Sequence, residues 1–123
     1  MRVLVENPDR AQLEGAAGIL ADAGYDVATC AGAENGVRCP LVEFGNCNLV
    51  GEADVVVTSA DLPGAAPLLE LHESRGWPPV VVEATRKQQA ELIDVIPAAV
   101  FVRAPMHADD LRRAVDEARA SAV

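Results

Sequence analysis

The sequence predicts a doubly wound α/β fold: a five-stranded parallel sheet with helices on both faces. Two observations predict it. Short, valine-rich apolar runs alternate along the chain with segments whose apolar residues repeat at helical spacing. The runs are also continuous and lack strict in-and-out alternation, which is what strands covered on both faces require. At 123 residues, 50% of them hydrophobic, residues 1–123 suit a single domain with one core that needs neither disulfide nor metal to form.

The strands are expected at 3–5, 25–29, 53–58, 79–82 and 98–102. Between the first two, Leu13, Ala16, Ala17 and Leu20 recur at i, i+3, i+4 and i+7, the stripe that a helix buries against a sheet. Asn7-Pro8 reads as the N-cap and first helical position, and Gly24 as the stop. A helix over 65–75 turns Leu68, Leu69 and Leu71 inward and ends at Gly76. Another follows Thr85 as N-cap and buries Ala90, Ile93 and Ile96 before Pro97. The last begins near Ala108, carries Asp109 and Asp110 in its first turn, and presents Leu111, Ala114, Val115 and Ala118 on one face. Right-handed crossovers then favour the flavodoxin-like strand order 2-1-3-4-5. Between the second and third strands, residues 31–51 hold Gly32, Asn35, Gly36, Pro40, Gly45, Asn46, Asn48 and Gly51. That density of breakers replaces the second helix of the pattern with an irregular, cysteine-containing loop.

Charge excludes several function classes. Nineteen acidic side chains against ten basic ones give a formal net charge of -9, and Lys87 is the only lysine. Nucleic acid and anionic membrane surfaces both require a basic stripe that this chain lacks. No apolar stretch approaches a membrane span, and Met1-Arg2-Val3-Leu4-Val5-Glu6 does not build a signal peptide, so the expected location is cytoplasmic.

Five pieces in order carry a resemblance. They are Arg2-Val3-Leu4-Val5 with its following helix, Ala23-Gly24-Tyr25-Asp26-Val27, the stretch from Ala53-Asp54-Val55 through Thr58-Ser59-Ala60-Asp61-Leu62-Pro63-Gly64, Pro79-Val80-Val81-Val82, and Phe101-Val102-Arg103-Ala104-Pro105-Met106. Over essentially its whole length the chain resembles the receiver domain of bacterial two-component response regulators, the CheY-like group. That resemblance implies chemistry at the carboxyl ends of the strands. In the family an acidic pair after the first strand helps hold Mg²⁺, an aspartate ending the third accepts a phosphoryl group, a Ser or Thr ends the fourth, and a lysine before a proline ends the fifth. Carried onto this chain, the acidic pair falls on Asn7 and Pro8, with Glu6 and Asp9 beside them. The phosphoacceptor position falls on Ser59, the hydroxyl position on Ala84 with Thr85 next, the aromatic switch position on Phe101, and the lysine position on Ala104 with Arg103 beside it.

Those replacements remove the reaction. Mg²⁺ takes several hard oxygen ligands in near-octahedral geometry, which Asn7, Pro8 and Ser59 do not supply in place of carboxylates, so no Mg²⁺ is expected. A serine nucleophile also needs an adjacent base, and none is visible. The chain reads as a degenerate receiver, or pseudo-receiver. Asn7-Pro8 as a helix start, Ser59 and Thr58 as local hydrogen-bonding groups, and an ion pair between Asp61 and Arg103 are the structural readings of the same residues.

Cys30, Cys39 and Cys47 are spaced C-x8-C-x7-C, and Cys39-Pro40-Leu41-Val42 is echoed by Cys47-Asn48-Leu49-Val50. Reduced, partly buried thiols are the favoured reading. A Cys39–Cys47 disulfide or redox switch, and a zinc or iron–sulfur site completed by His72 or an outside ligand, are the alternatives. The tight cysteine pair of known zinc sites is missing, and His72 and His107 read as exposed helix residues. No cofactor is expected.

The favoured function is a stand-alone receiver-like regulatory module without an output domain. It is expected to act by protein–protein contact and not by aspartyl phosphorylation. In the family, partners contact the surface of the fourth helix, fifth strand and fifth helix, here about residues 86–120, with Met106, Phe101, Arg112, Arg113, Asp116 and Arg119 available; a homodimer is a further expectation. A redox or metal sensor built on the cysteines, and a conventional response regulator with displaced ligands, are the alternative functions. An enzyme is not expected, because neither a phosphate-binding glycine loop nor a nucleophile and base pair appears.

Overall fold

A computed structural model of the chain describes residues 1–7, 9–30, 52–59, 78–94 and 98–121. The elements are β1 (Arg2–Glu6), α1 (Arg10–Asp22), β2 (Asp26–Cys30), β3 (Val55–Ser59), β4 (Val80–Ala84), α2 (Arg86–Leu92), β5 (Val100–Arg103) and α3 (Ala108–Ser121). The strands form one sheet in the order β2-β1-β3-β4-β5, every neighbouring pair parallel. The predicted fold class and strand order are those observed. The predicted helix over 65–75 and the irregular loop over 31–51 lie outside the described residues.

The continuous valine runs have the burial they imply. Every residue of β3 is buried, as are Val80, Val81, Val82 and Ala84 of β4. On one face, Val3, Val5, Val55, Val57, Val81 and Val102 meet Ala16 and Leu20 of α1 and Leu111, Ala114, Val115 and Ala118 of α3. On the other, Leu4 and Val56 pack with Ala53 against Ala28 and Cys30. The edge strand β2 is shallower, with Asp26 and Thr29 exposed.

Two helix starts show how local chemistry sets the boundaries. The N-cap of α1 is Asp9, two residues later than the predicted Asn7; its carboxylate accepts from the Gln12 N–H at 3.1 Å. Asn7 instead forms the turn before the helix, its Oδ1 accepting from the Asp9 N–H at 2.9 Å. At α2 the predicted cap is the observed one. Thr85 Oγ1 accepts from the Gln88 N–H at 3.2 Å and Gln88 Oε1 accepts from the Thr85 N–H at 2.8 Å, a reciprocal capping box.

The inward face of α2 differs from the predicted one. Half-buried Gln88 and Gln89 and buried Leu92 form the inward face, whereas Ala90 and Ile93, predicted to be buried, are exposed. The inward stripe of the helix runs one residue ahead of the predicted one. Ile96 and Pro97 lie outside the described residues. Gly24 closes α1 as predicted, with φ of 94°, a conformation that a Cβ disfavours.

At the amino end of the sheet, several of the chain's acids gather around one base. The Arg2 N–H donates to Asp54 Oδ2 at 2.8 Å, while its guanidinium meets Asp26 at 3.3 Å and Glu52 at 3.0 Å. These groups are exposed and lie at the opposite end of the strands from the expected chemistry, so they account for part of the acidic surplus as surface.

Candidate functional site

Open parallel sheets present their ligand-binding side chains where the strands end. Here β1 ends at Glu6, followed by Asn7. The other ends are Ser59 of β3, Ala84 of β4 followed by Thr85, and Arg103 of β5 followed by Ala104. The strand register aligns Glu6 with Cys30, Ser59 with Glu83, and Ala84 with Arg103. Backbone hydrogen bonds extend the ladder beyond the strands, from Asn7 N–H to the Cys30 carbonyl and from Ala104 N–H to the Ala84 carbonyl, both at 3.1 Å.

Several of the side chains at these ends are engaged by the helix starts or are apolar. Asn7 spends both ends of its amide on the helix start, since Oδ1 accepts from Asp9 and Nδ2 donates to Gln12 Oε1 at 3.1 Å. Asp9 caps α1, and Thr85 caps α2. Ser59 is 4% exposed and Ala84 1%. Ala104 and Phe101 are half-buried, and Arg103 is exposed. Glu6 is half-buried, and desolvation holds its carboxyl above the ordinary carboxylate range. Among the described residues, no group of three or more His, Cys, Asp or Glu side chains is gathered as a metal site would require. Pro8, Cys39, Cys47, Asp61 and His72 lie outside the described residues, and with them the disulfide, the thiolate metal site and the Asp61–Arg103 pair. His107 is exposed, just before α3.

Sequence reasoning missed Glu83. Its carboxylate sits on the sheet face covered by α1 and α3, beside Ser59 in one neighbouring strand and Val102 in the other. Oε2 accepts a 3.0 Å hydrogen bond from the Met106 N–H in the turn between β5 and α3. The signal was present: a single acid interrupts the apolar run Val80-Val81-Val82 and is followed by buried Ala84, and a carboxylate within a strand covered on both faces needs a partner.

No protein-family model matches the sequence, and none of the curated proteins does. Solved structures do share its fold. A response regulator receiver domain protein from Clostridium thermocellum superposes with a TM-score of 0.74 at 21% identity, covering 98% of this chain and 94% of that one. A CheY-like receiver domain protein from Methanospirillum hungatei covers the same shares at 21% identity with a TM-score of 0.72. The receiver domain of a Francisella response regulator matches 99% of this chain and 98% of its own at 16% identity, again with a TM-score of 0.72. The chain therefore has the CheY-like receiver fold. No helix among the described residues is long and apolar enough to cross a membrane.

Proposed function

We propose that the chain is a receiver-like signalling module that works through protein–protein contact and is not phosphorylated on aspartate. The observation that carries this reading is the set of side chains at the strand ends. Ser59, buried at the end of β3, is the residue that the family resemblance aligns with the acceptor carboxylate. Both polar atoms of Asn7 and one carboxylate oxygen of Asp9 are held by the start of α1. With Ala84 and Ala104 at the hydroxyl and lysine positions, these donors do not fit Mg²⁺, which needs several oxygen ligands free to converge.

The contact surface in this reading runs across α2, β5 and α3. Ile93, at the end of α2, is 46% exposed and gives that surface an apolar element. Arg112 and Arg113 pair with Asp109 and Asp110 along α3 and give that helix mixed charge. Apolar centres with charged rims are how transient protein contacts combine adhesion with selectivity.

Incubation of the protein with Mg²⁺ and acetyl phosphate, followed by intact mass measurement, tests the first half. No added phosphoryl mass is expected; a labile phosphoryl adduct would overturn the reading. Light scattering across a range of concentrations, on the native chain and Ile93→Arg, tests self-association through the same surface. A homodimer there should weaken in the variant.

A further inference from the structure

The geometry points to a ligand site adjoining the strand ends described above, a cleft between α1 and the β5–α3 turn, bordered by Thr85 and Ala104, that binds an organic cation, an ammonium or guanidinium group carried on a short apolar stem. This inference is independent of the signalling role proposed above. The cleft has a volume of about 520 Å³, within the usual range for small-molecule sites, and is open to solvent. Gln12, Gly15 and Ile19 of α1 line one side and Pro105 and Met106 the other, with Glu83 between them.

Glu83 supplies the reason for a cation. It is the one ionisable side chain among the lining residues. Its Oε2 is held by the Met106 N–H, which fixes the carboxylate in place. Among the described residues, no cationic side chain pairs with it. An ionised carboxylate accepts about four hydrogen bonds, so one backbone N–H leaves most of its capacity for a ligand. The rest of the wall is largely apolar, from Ala16, Ile19, Pro105 and Met106. A ligand that places an alkyl stem on that wall and a cationic head on Glu83 satisfies both.

Two further features favour the same chemistry. Gln12, which also lines the cleft, has its Oε1 engaged by Asn7 Nδ2, and its N–H₂ is a donor suited to a ligand that also carries a carbonyl or hydroxyl. The net charge of -9 raises the local concentration of any cation at the surface. A Cβ built at Gly15 meets nothing within 4 Å, so the helix position beside the cleft can take a side chain without a clash.

The site can be tested by amide NMR on the full chain, with Met106 N–H as the reporter of the Glu83 contact. The probes are n-butylguanidinium, n-butylamine, n-butanol as the uncharged control, and an acetylated Gly-Arg-Gly amide. Saturable shifts at Met106, Gln12 and Ile19 are expected with the cations and not with butanol. Stronger binding by the free guanidinium than by the peptide assigns the site to a small molecule, and the reverse assigns it to an arginine side chain of another protein. Glu83→Gln retains an acceptor for Met106 and should weaken cation binding by about tenfold, the loss expected when a charged hydrogen-bonding partner becomes neutral. Gly15→Leu leaves Glu83 intact and fills the cleft, and should abolish the shifts in a protein whose remaining spectrum is unchanged. Absence of saturable shifts, or equal binding by Glu83→Gln, overturns the proposal.

Discussion

Glu83 and Met106 tie the carboxyl end of β4 to the turn that enters α3, through a 3.0 Å hydrogen bond from backbone N–H to carboxylate. Because α3 supplies Leu111, Ala114, Val115 and Ala118 to the core, this one bond links the placement of a core helix to an inner strand of the sheet. It spans 23 residues of sequence, so it orders chain segments that no local turn chemistry connects.

Removing the acceptor should therefore act on the turn. Glu83→Ala leaves the Met106 N–H without its partner and is expected to cost about 1–2 kcal/mol, the range for losing a charge-assisted hydrogen bond at a half-buried position. Glu83→Gln keeps an oxygen in place and should cost less. Urea unfolding gives the stability change, and hydrogen exchange should show the Met106 amide released in the alanine variant but protected in the glutamine one. Equal protection in both would show that the bond does not hold the turn.

At α1 the cap makes a sharper comparison. Asp9 accepts from Gln12 N–H, whereas Asn7 organises the turn before it. Asp9→Ala should cost about 1 kcal/mol, the usual loss of an N-cap. Asn7→Ala should cost less than that, because the helix donor keeps its partner. The reverse order in thermal or urea unfolding would return the cap to Asn7.

The pH dependence follows from Glu6. Burial raises its carboxyl above the ordinary carboxylate range in the folded protein. A group with a raised folded pKa contributes stability that is fully present below its unfolded pKa and is lost as pH rises through the folded one. Glu6→Gln removes that loss. The variant should equal the native protein in acid, below the ordinary carboxylate range, and exceed it near neutral pH. A stability difference that does not change with pH would show that Glu6 is not desolvated.

Much of the fold was legible because it rests on patterns that one strand or helix carries alone. Val80-Val81-Val82 announces a strand buried on both faces, and Leu111, Ala114, Val115 and Ala118 announce the inward face of α3; each burial is as read. Elements whose detail depends on competition between neighbours were less legible. Asn7 and Asp9 are both good caps, and Asp9 is the one whose carboxylate accepts from the Gln12 N–H. Ala90 and Ile93 have helical spacing, but Gln89 and Leu92 share it, and Leu92 is the one that takes the buried position. At the candidate site, the residues at the strand ends could be named from sequence. The Glu83 contact could not, because its partner is a backbone N–H brought near only by the parallel pairing of β4 with β5.

The link between Tyr25 and Asp116 joins the start of β2 to α3 across the covered face of the sheet and gives the last test. The Tyr25 hydroxyl donates to the Asp116 carboxylate, and that hydrogen bond, followed by desolvation and the negative charge of Asp116, holds the phenol above its ordinary pKa. A donor must keep its proton to donate. The stabilisation is therefore complete below the ordinary tyrosine value and is lost as pH rises through the raised one. Tyr25→Phe should cost about 0.5–1.5 kcal/mol near neutral pH, the net worth of one such bond, and should flatten the alkaline fall in stability. Because phenylalanine keeps the ring against the core, the loss should appear without a change in the dependence on urea concentration, which reports the surface exposed on unfolding. An alkaline profile identical to that of the native protein would show that the Tyr25 and Asp116 contact contributes nothing in solution.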